Sequence, residues 1–126
     1  MPYYKPIKEI SPKRTRLRTI TILRRLRSKL DSEMPQKTRD ETLILGTWNI
    51  RNFDDNRFKN GNRTQEDMHY IAEIISRFDV LPVQEICDDT YPLEKVMGLL
   101  RNDYRWREKA TILQDSFHVL VSGGMV

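Results

Sequence analysis

Apolar positions in this chain first recur at helical spacing. Leu17, Ile20, Leu23, Leu26 and Leu30 are three and four apart, with Arg24, Arg25, Arg27 and Lys29 largely off that stripe. The spacing predicts an amphipathic helix over Arg16–Leu30, although the β-branched run Thr19, Ile20, Thr21, Ile22 works against it. "DSEMPQKTRDE" then reads as a polar linker broken by Pro35. From Leu43 the pattern changes. "LILGTWN" predicts a strand over Leu43–Asn49, and "DDNRFKNGNRT" a polar loop. Thr64 is a suitable helix N-cap, with Glu66 and Asp67 in the first turn to meet the helix dipole. Met68, Ile71, Ile74, Ile75 and Phe78 supply the apolar stripe of that helix. "DVLPVQEI" predicts a second strand over Val80–Glu85, and Pro82 removes a ladder donor from it. A local break or an edge position is therefore expected at Pro82. "DDTYPLEKVMGLLRN" predicts a helix capped at Asp89 or Thr90, with Pro92 in its first turn and a Leu93, Val96, Met97, Leu100 stripe. After Asp103 the pattern dissolves into strand-like pieces near Thr111–Leu113 and Phe117–Val121.

Strand, loop, helix, strand, helix is an α/β pattern, with both strands expected in one sheet and a helix packed on it. Residues 1–41 form a basic extension holding one helix and a linker, and residues 42–126 the α/β part. Charge follows the same division. The chain of 126 residues carries a net +4, but residues 1–40 hold 12 Lys and Arg against 4 Asp and Glu, and the remainder 10 against 14. The basic helix is best read as docking its apolar stripe on a neighbouring surface and exposing a solvated cationic face. Contact with nucleic-acid phosphates, with a membrane surface or with another protein are the alternatives for that face. No apolar window is long enough to span a membrane. "MPYYKPIKEISPKR" lacks the apolar core of a signal peptide, and Glu9, Asp31 and Glu33 argue against an organelle transit peptide. Cys87 is the single cysteine, so an internal disulfide is excluded, and a reducing cytoplasmic location is expected.

Both predicted strands begin apolar and leave polar at the same end. In open α/β sheets ligands sit beyond the carboxyl ends of the strands, which directs attention to Asn49 and Glu85. A carboxylate there suits a hard cation such as Mg²⁺, and an amide suits a phosphate or sugar oxygen. The plainer alternative is that polar residues simply end two strands at a solvated loop. Arg51 and Arg63 are candidate phosphate contacts, set against the same loop alternative. His69 reads as a surface or boundary residue of its helix. His118 lies in no Asp-His context, Cys87 has no paired His motif, and "SGG" at 122–124 is followed by neither Lys nor a helix. Asp79 reads as a turn or cap residue, and Asp88 and Asp89 as helix caps.

The stretch "LILGTWNIRNFDDNR…NRTQEDMHYIAEIISRFDVLPVQEICDD" resembles the endonuclease/exonuclease/phosphatase superfamily, the DNase I-like fold. In that family the first strand ends in Trp-Asn or Cys-Asn. An Arg-containing loop and an "IA.II...D" helix follow, and the second strand ends in Gln-Glu. Asn49 and Glu85 match the two strand-end motifs and stand 36 positions apart. The likeness covers roughly residues 42–102, with a fainter one upstream in "LRRLRSKL…E.P". It implies a four-layered α/β sandwich, of which these residues would form the first strands and helices. It also implies Mg²⁺- or Mn²⁺-dependent hydrolysis of phosphoester bonds in a nucleic acid or another phosphodiester. Glu85 would bind the metal, and Asn49 would orient the scissile phosphate or the metal shell. Water would attack phosphorus in line. The family's later Asp-x-Asn, His–Asp and Asp-His motifs do not follow Glu85 in this sequence. The expectation is thus an amino-terminal, truncated portion that is inactive alone. The alternative function is a non-catalytic nucleic-acid-binding module using the basic helix.

Overall fold

The computed structural model of the protein describes residues 2–38, 41–53, 64–86, 91–101, 104–110 and 116–122. After a short 3-10 turn at Lys5–Glu9, helix α1 spans Lys13–Glu33, three residues longer at each end than expected. Strand β1 (Trp48–Phe53), helix α2 (Gln65–Ile75), strand β2 (Val80–Ile86) and helix α3 (Tyr91–Leu100) follow in the predicted order. Two further strands, β3 (Tyr104–Ala110) and β4 (Ser116–Ser122), complete a four-stranded mixed sheet of order β1-β2-β4-β3. The α/β class is therefore correct.

α2 forms where its sequence calls for it. The Thr64 hydroxyl accepts from the Asp67 N–H at 3.1 Å, while the Thr64 N–H donates to the Asp67 carboxylate at 3.4 Å, a reciprocal capping box. Met68, Ile71, Ala72 and Ile75 then join Leu93, Val96, Leu99 and Leu100 of α3 in one buried cluster. The sheet contributes Ile50, Leu81, Val83, Tyr104 and Leu120 to that cluster. The opposite side of α2, Glu66, Tyr70 and Glu73, meets α1, so α1 forms a layer beyond α2.

Three expectations are corrected or narrowed. Regular pairing of β1 begins at Trp48 and runs to Phe53, so Asn49 lies near its start. Residues 44–46 are held beside β2 by a single bridge, Leu45 to Val80, with the Gly46 N–H on the Val80 carbonyl at 3.2 Å. Gly46 is required there because a Cβ would come within 2.4 Å of the Phe78 ring. Pro82 does not sit at an edge, since β2 is continuous and paired on both sides. The Val80 N–H points to the β1 side, to the Ile44 carbonyl, and Pro82 two residues on faces the same way. The β1-side ladder is interrupted there, between the Leu45 bridge and the Trp48–Val83 pair, which is the local break expected of the missing donor. Finally, Tyr104–Ala110 is a full strand, where the sequence pattern gave only a dissolving tail. The piece expected at Thr111–Leu113 lies outside the described residues, while Phe117–Val121 falls within β4.

Candidate functional site

β1 and β2 are adjacent and parallel, joined through α2. Trp48 pairs with Val83 and Asn49 with Gln84, which brings the Asn49 backbone one residue from the register of Glu85. The ladder shifts register between Asn49 and Phe53, and resumes with Phe53 opposite Ile86. Asn49 is exposed, while its neighbour Ile50 is 5% exposed and packs in the core. Glu85 and Arg51 are placed by their backbones in β2 and β1, and their side chains lie outside the described residues. Arg63, Cys87, Asp88 and Asp89 lie outside the described residues altogether. The backbone of His118 is paired with Val83 from the β4 side, so β2 runs between Asn49 and His118 positions.

The other end of this strand pair is fastened by Asp79. Its carboxylate accepts the Ile44 N–H at 2.7 Å, and its backbone carbonyl accepts the Ser122 N–H at 2.8 Å. Asp79 is 6% exposed, so the turn residue expected from sequence is a buried clamp between the β1 approach and β4. A buried carboxylate spent on a backbone donor in this way acts as a structural group.

Among the described residues no group of three His, Cys, Asp or Glu side chains could hold a metal ion. The oxygen donors offered by Glu85 and Asn49 are of the type Mg²⁺ takes, and Mg²⁺ often uses only one or two protein carboxylates and retains waters. They do not make a closed site by themselves.

His69 requires a correction. It is 2% exposed, its Nδ1 has no hydrogen-bond partner, and burial pushes its pKa below the ordinary value. The sequence offered no signal for this, because His69 stands outside the Met68, Ile71, Ile75 stripe.

The basic helix is partly neutralised. Arg18 donates to both oxygens of Glu66, at 2.6 and 3.0 Å, and this contact holds the Glu66 carboxyl below its usual range. Tyr70 also donates to Glu66, at 2.6 Å. Burial, reinforced by that bond, raises the Tyr70 hydroxyl pKa. Glu73, 2% exposed, accepts from Tyr4 and from Arg77 at 2.9 Å, with Arg27 Nε 3.4 Å away. Arg27 also lies 5.4 Å from the centre of the Tyr4 ring, and Asp31 pairs with Arg77. Arg27 thus belongs to the docked side of α1 and not to its solvated face. The helix is rotated from the expected stripe: Thr19 and Leu23 are buried, Ile20 and Leu26 pack beside them, and Leu17 is 51% exposed. The acidic residues of α2 set that rotation.

Neither a family model nor a curated protein matches this chain.

Proposed function

We propose that residues 42–126 are the first part of an endonuclease/exonuclease/phosphatase-type domain, with Asn49 and Glu85 as the first wall of a metal-dependent phosphoester site. The observation that carries this reading is the parallel β1–α2–β2 unit, which sets the Asn49 and Glu85 backbones on adjacent strands. Among the described residues no helix packs on the other face of the sheet, which adds support. Leu43 and Leu45 are 51% and 61% exposed, and Val80, Pro82 and Val121 are half-buried. An apolar sheet face of that kind suits a second sheet packed against it.

In this reading the Glu85 carboxylate holds Mg²⁺ or Mn²⁺, and the Asn49 amide donates to a phosphoryl oxygen without adding charge. Arg51 and Arg63 would add positive charge beside the same phosphate. A cation held there would supply charge stabilisation on the phosphoryl oxygens. A group to take the proton from the attacking water is also needed. The Asp-x-Asn and Asp-His motifs that resemblance would lead one to seek do not occur after Glu85. These 126 residues alone therefore bind the cation weakly and turn over no phosphodiester.

Mn²⁺, a paramagnetic substitute for Mg²⁺, tests the site without relying on turnover. In amide spectra of the protein, Mn²⁺ should broaden the signals of Asn49, Ile50 and Glu85 first, and Glu85→Gln should remove the selectivity. Broadening that ignores this substitution would overturn the assignment. Mg²⁺-dependent cleavage of duplex DNA or of a bis-nitrophenyl phosphate, abolished in Glu85→Ala, would overturn the expected lack of turnover.

A further inference from the structure

α1 carries eight cations, and they divide into two sets. Arg18 and Arg27 face Glu66 and Glu73 of α2, and Arg16 donates to the Lys8 carbonyl at 3.4 Å. Lys13, Arg14, Arg24, Arg25 and Lys29 are all exposed, with no ion pair or hydrogen bond among the described residues. At 100° per residue these five fall within an arc of about 160°. Thr19, Leu23, Leu26 and Arg27 occupy the opposite side of the helix, against the rest of the molecule. The one carboxylate on the outer arc, Asp31, is paired with Arg77.

We propose that this outer ridge is a docking surface for the phosphate backbone of a nucleic acid. From Lys13 to Lys29 the ridge is about 24 Å long, comparable to seven base pairs of duplex rise. Five unpartnered cations on one rigid helix, interspersed with the hydroxyls of Thr21 and Ser28, match a polyanion of regularly spaced charges. Helix packing disfavours a lipid surface. An interfacial helix buries an apolar face between headgroups, but the apolar face of α1 is already occupied by Tyr4, Ile7, Ile10 and Tyr70. The exposed Leu17 and Ile22 lie about 140° apart on the helix and form no stripe. The division of the cations also explains why charge concentrates in this segment: Arg16, Arg18 and Arg27 fasten the helix, and the other five face outward.

This surface stands on α1 alone and does not depend on Glu85 or a metal. Anisotropy of a labelled 20-base-pair duplex, titrated with the whole chain in EDTA, tests it. If four cations meet phosphates, the logarithmic salt slope is about −3.6, a loss of about 150-fold in affinity between 50 and 200 mM salt. The quadruple variant R14Q/R24Q/R25Q/K29Q should bind at least ten-fold more weakly at 100 mM and lose most of the slope. R14K/R24K/R25K should keep it. Arg14, Arg24, Arg25 and Lys29 are all exposed, so circular dichroism should show these variants folded. Equal affinity in the quadruple variant, a slope near zero, or binding to phosphatidylserine vesicles but not to DNA would each overturn the proposal.

Discussion

His69 and Glu73 lie one turn apart on α2, and each is 2% exposed although each can carry charge. Glu73 is matched by Tyr4, Arg27 and Arg77, whereas the imidazole Nδ1 has no partner. An imidazole held in that position is neutral, and its pKa is lowered by burial. In the unfolded chain the same group takes up a proton near pH 6.5. The unfolded state therefore binds more protons just below that pH, and stability must rise with pH across the window. Its contribution is complete above about pH 6.5 and is lost as the pH falls toward the lowered folded-state value, by at most about 1.4 kcal/mol per unit. Urea unfolding between pH 7.5 and 5.5 should reveal this slope, and His69→Phe should flatten it. An unchanged slope in the variant would assign the response to another group. Nothing in the residue pattern announced this histidine, because burial on the flank of a helix depends on what packs beside it.

The docking of α1 on α2 shows how polar contacts can set an element's rotation. A stripe of Leu17, Ile20, Leu23, Leu26 and Leu30 is the sequence's own choice, yet Leu17 is outside and Thr19 inside. Thr19 can be buried because its hydroxyl donates to the Thr15 carbonyl at 2.8 Å, so no polar atom is left without a partner. The Glu73 cluster then fixes the rotation by drawing Arg27 inward. Removing that carboxylate leaves Arg27 without its ion-pair partner and Arg77 with Asp31 alone, though with 37% and 20% of their side-chain surface exposed both remain partly hydrated. Glu73→Leu should therefore lower the unfolding free energy by about 2–3 kcal/mol, below the full cost of breaking a wholly buried pair. The urea midpoint measures it; a midpoint unmoved by the substitution would mean that the apolar cluster alone seats α1. α2, β2 and α3 were legible because their apolar spacing and, for α2, the Thr64 cap pointed the same way. β3 was not, although Tyr104, Trp106 and Glu108 alternate with Arg105, Arg107 and Lys109, because its charges mask a strand's period. The strand pair carrying Asn49 and Glu85 was legible as backbone placement, since parallel neighbours joined by a helix follow from the element order. Its register was not, because Gly46 shapes the approach to the ladder through a close contact with Phe78, far off in sequence, and the effect of Pro82 depends on which strand its nitrogen faces.

At the scale of the whole molecule, the layers are unevenly covered. One sheet face packs on α2 and α3, and α1 covers α2, so that side is two helical layers deep. On the other face Leu43 and Leu45 remain largely exposed beside half-buried Val80, Pro82 and Val121. Alternation places these residues together, because Ile44, Leu81 and Leu120 between them point into the core. Scattered apolar residues on a surface are ordinary, but a contiguous apolar sheet face attracts another surface. The α1 ridge opposes such association through charge repulsion, and salt weakens that repulsion. Self-association of the 126-residue chain should consequently strengthen with both protein concentration and salt, the reverse of the salt response expected for DNA binding. Sedimentation velocity at 10–200 µM, in 50 and 300 mM salt, separates the two behaviours. L43T/L45T keeps β-compatible side chains while removing two of the largest exposed apolar groups, and it should shift the distribution toward monomer without weakening DNA binding. If the parent chain stays monomeric throughout, or if the double variant associates as strongly, the open face is not the surface that draws copies together. The two opposite salt dependences then make the test decisive, since a single sticky basic patch cannot produce both.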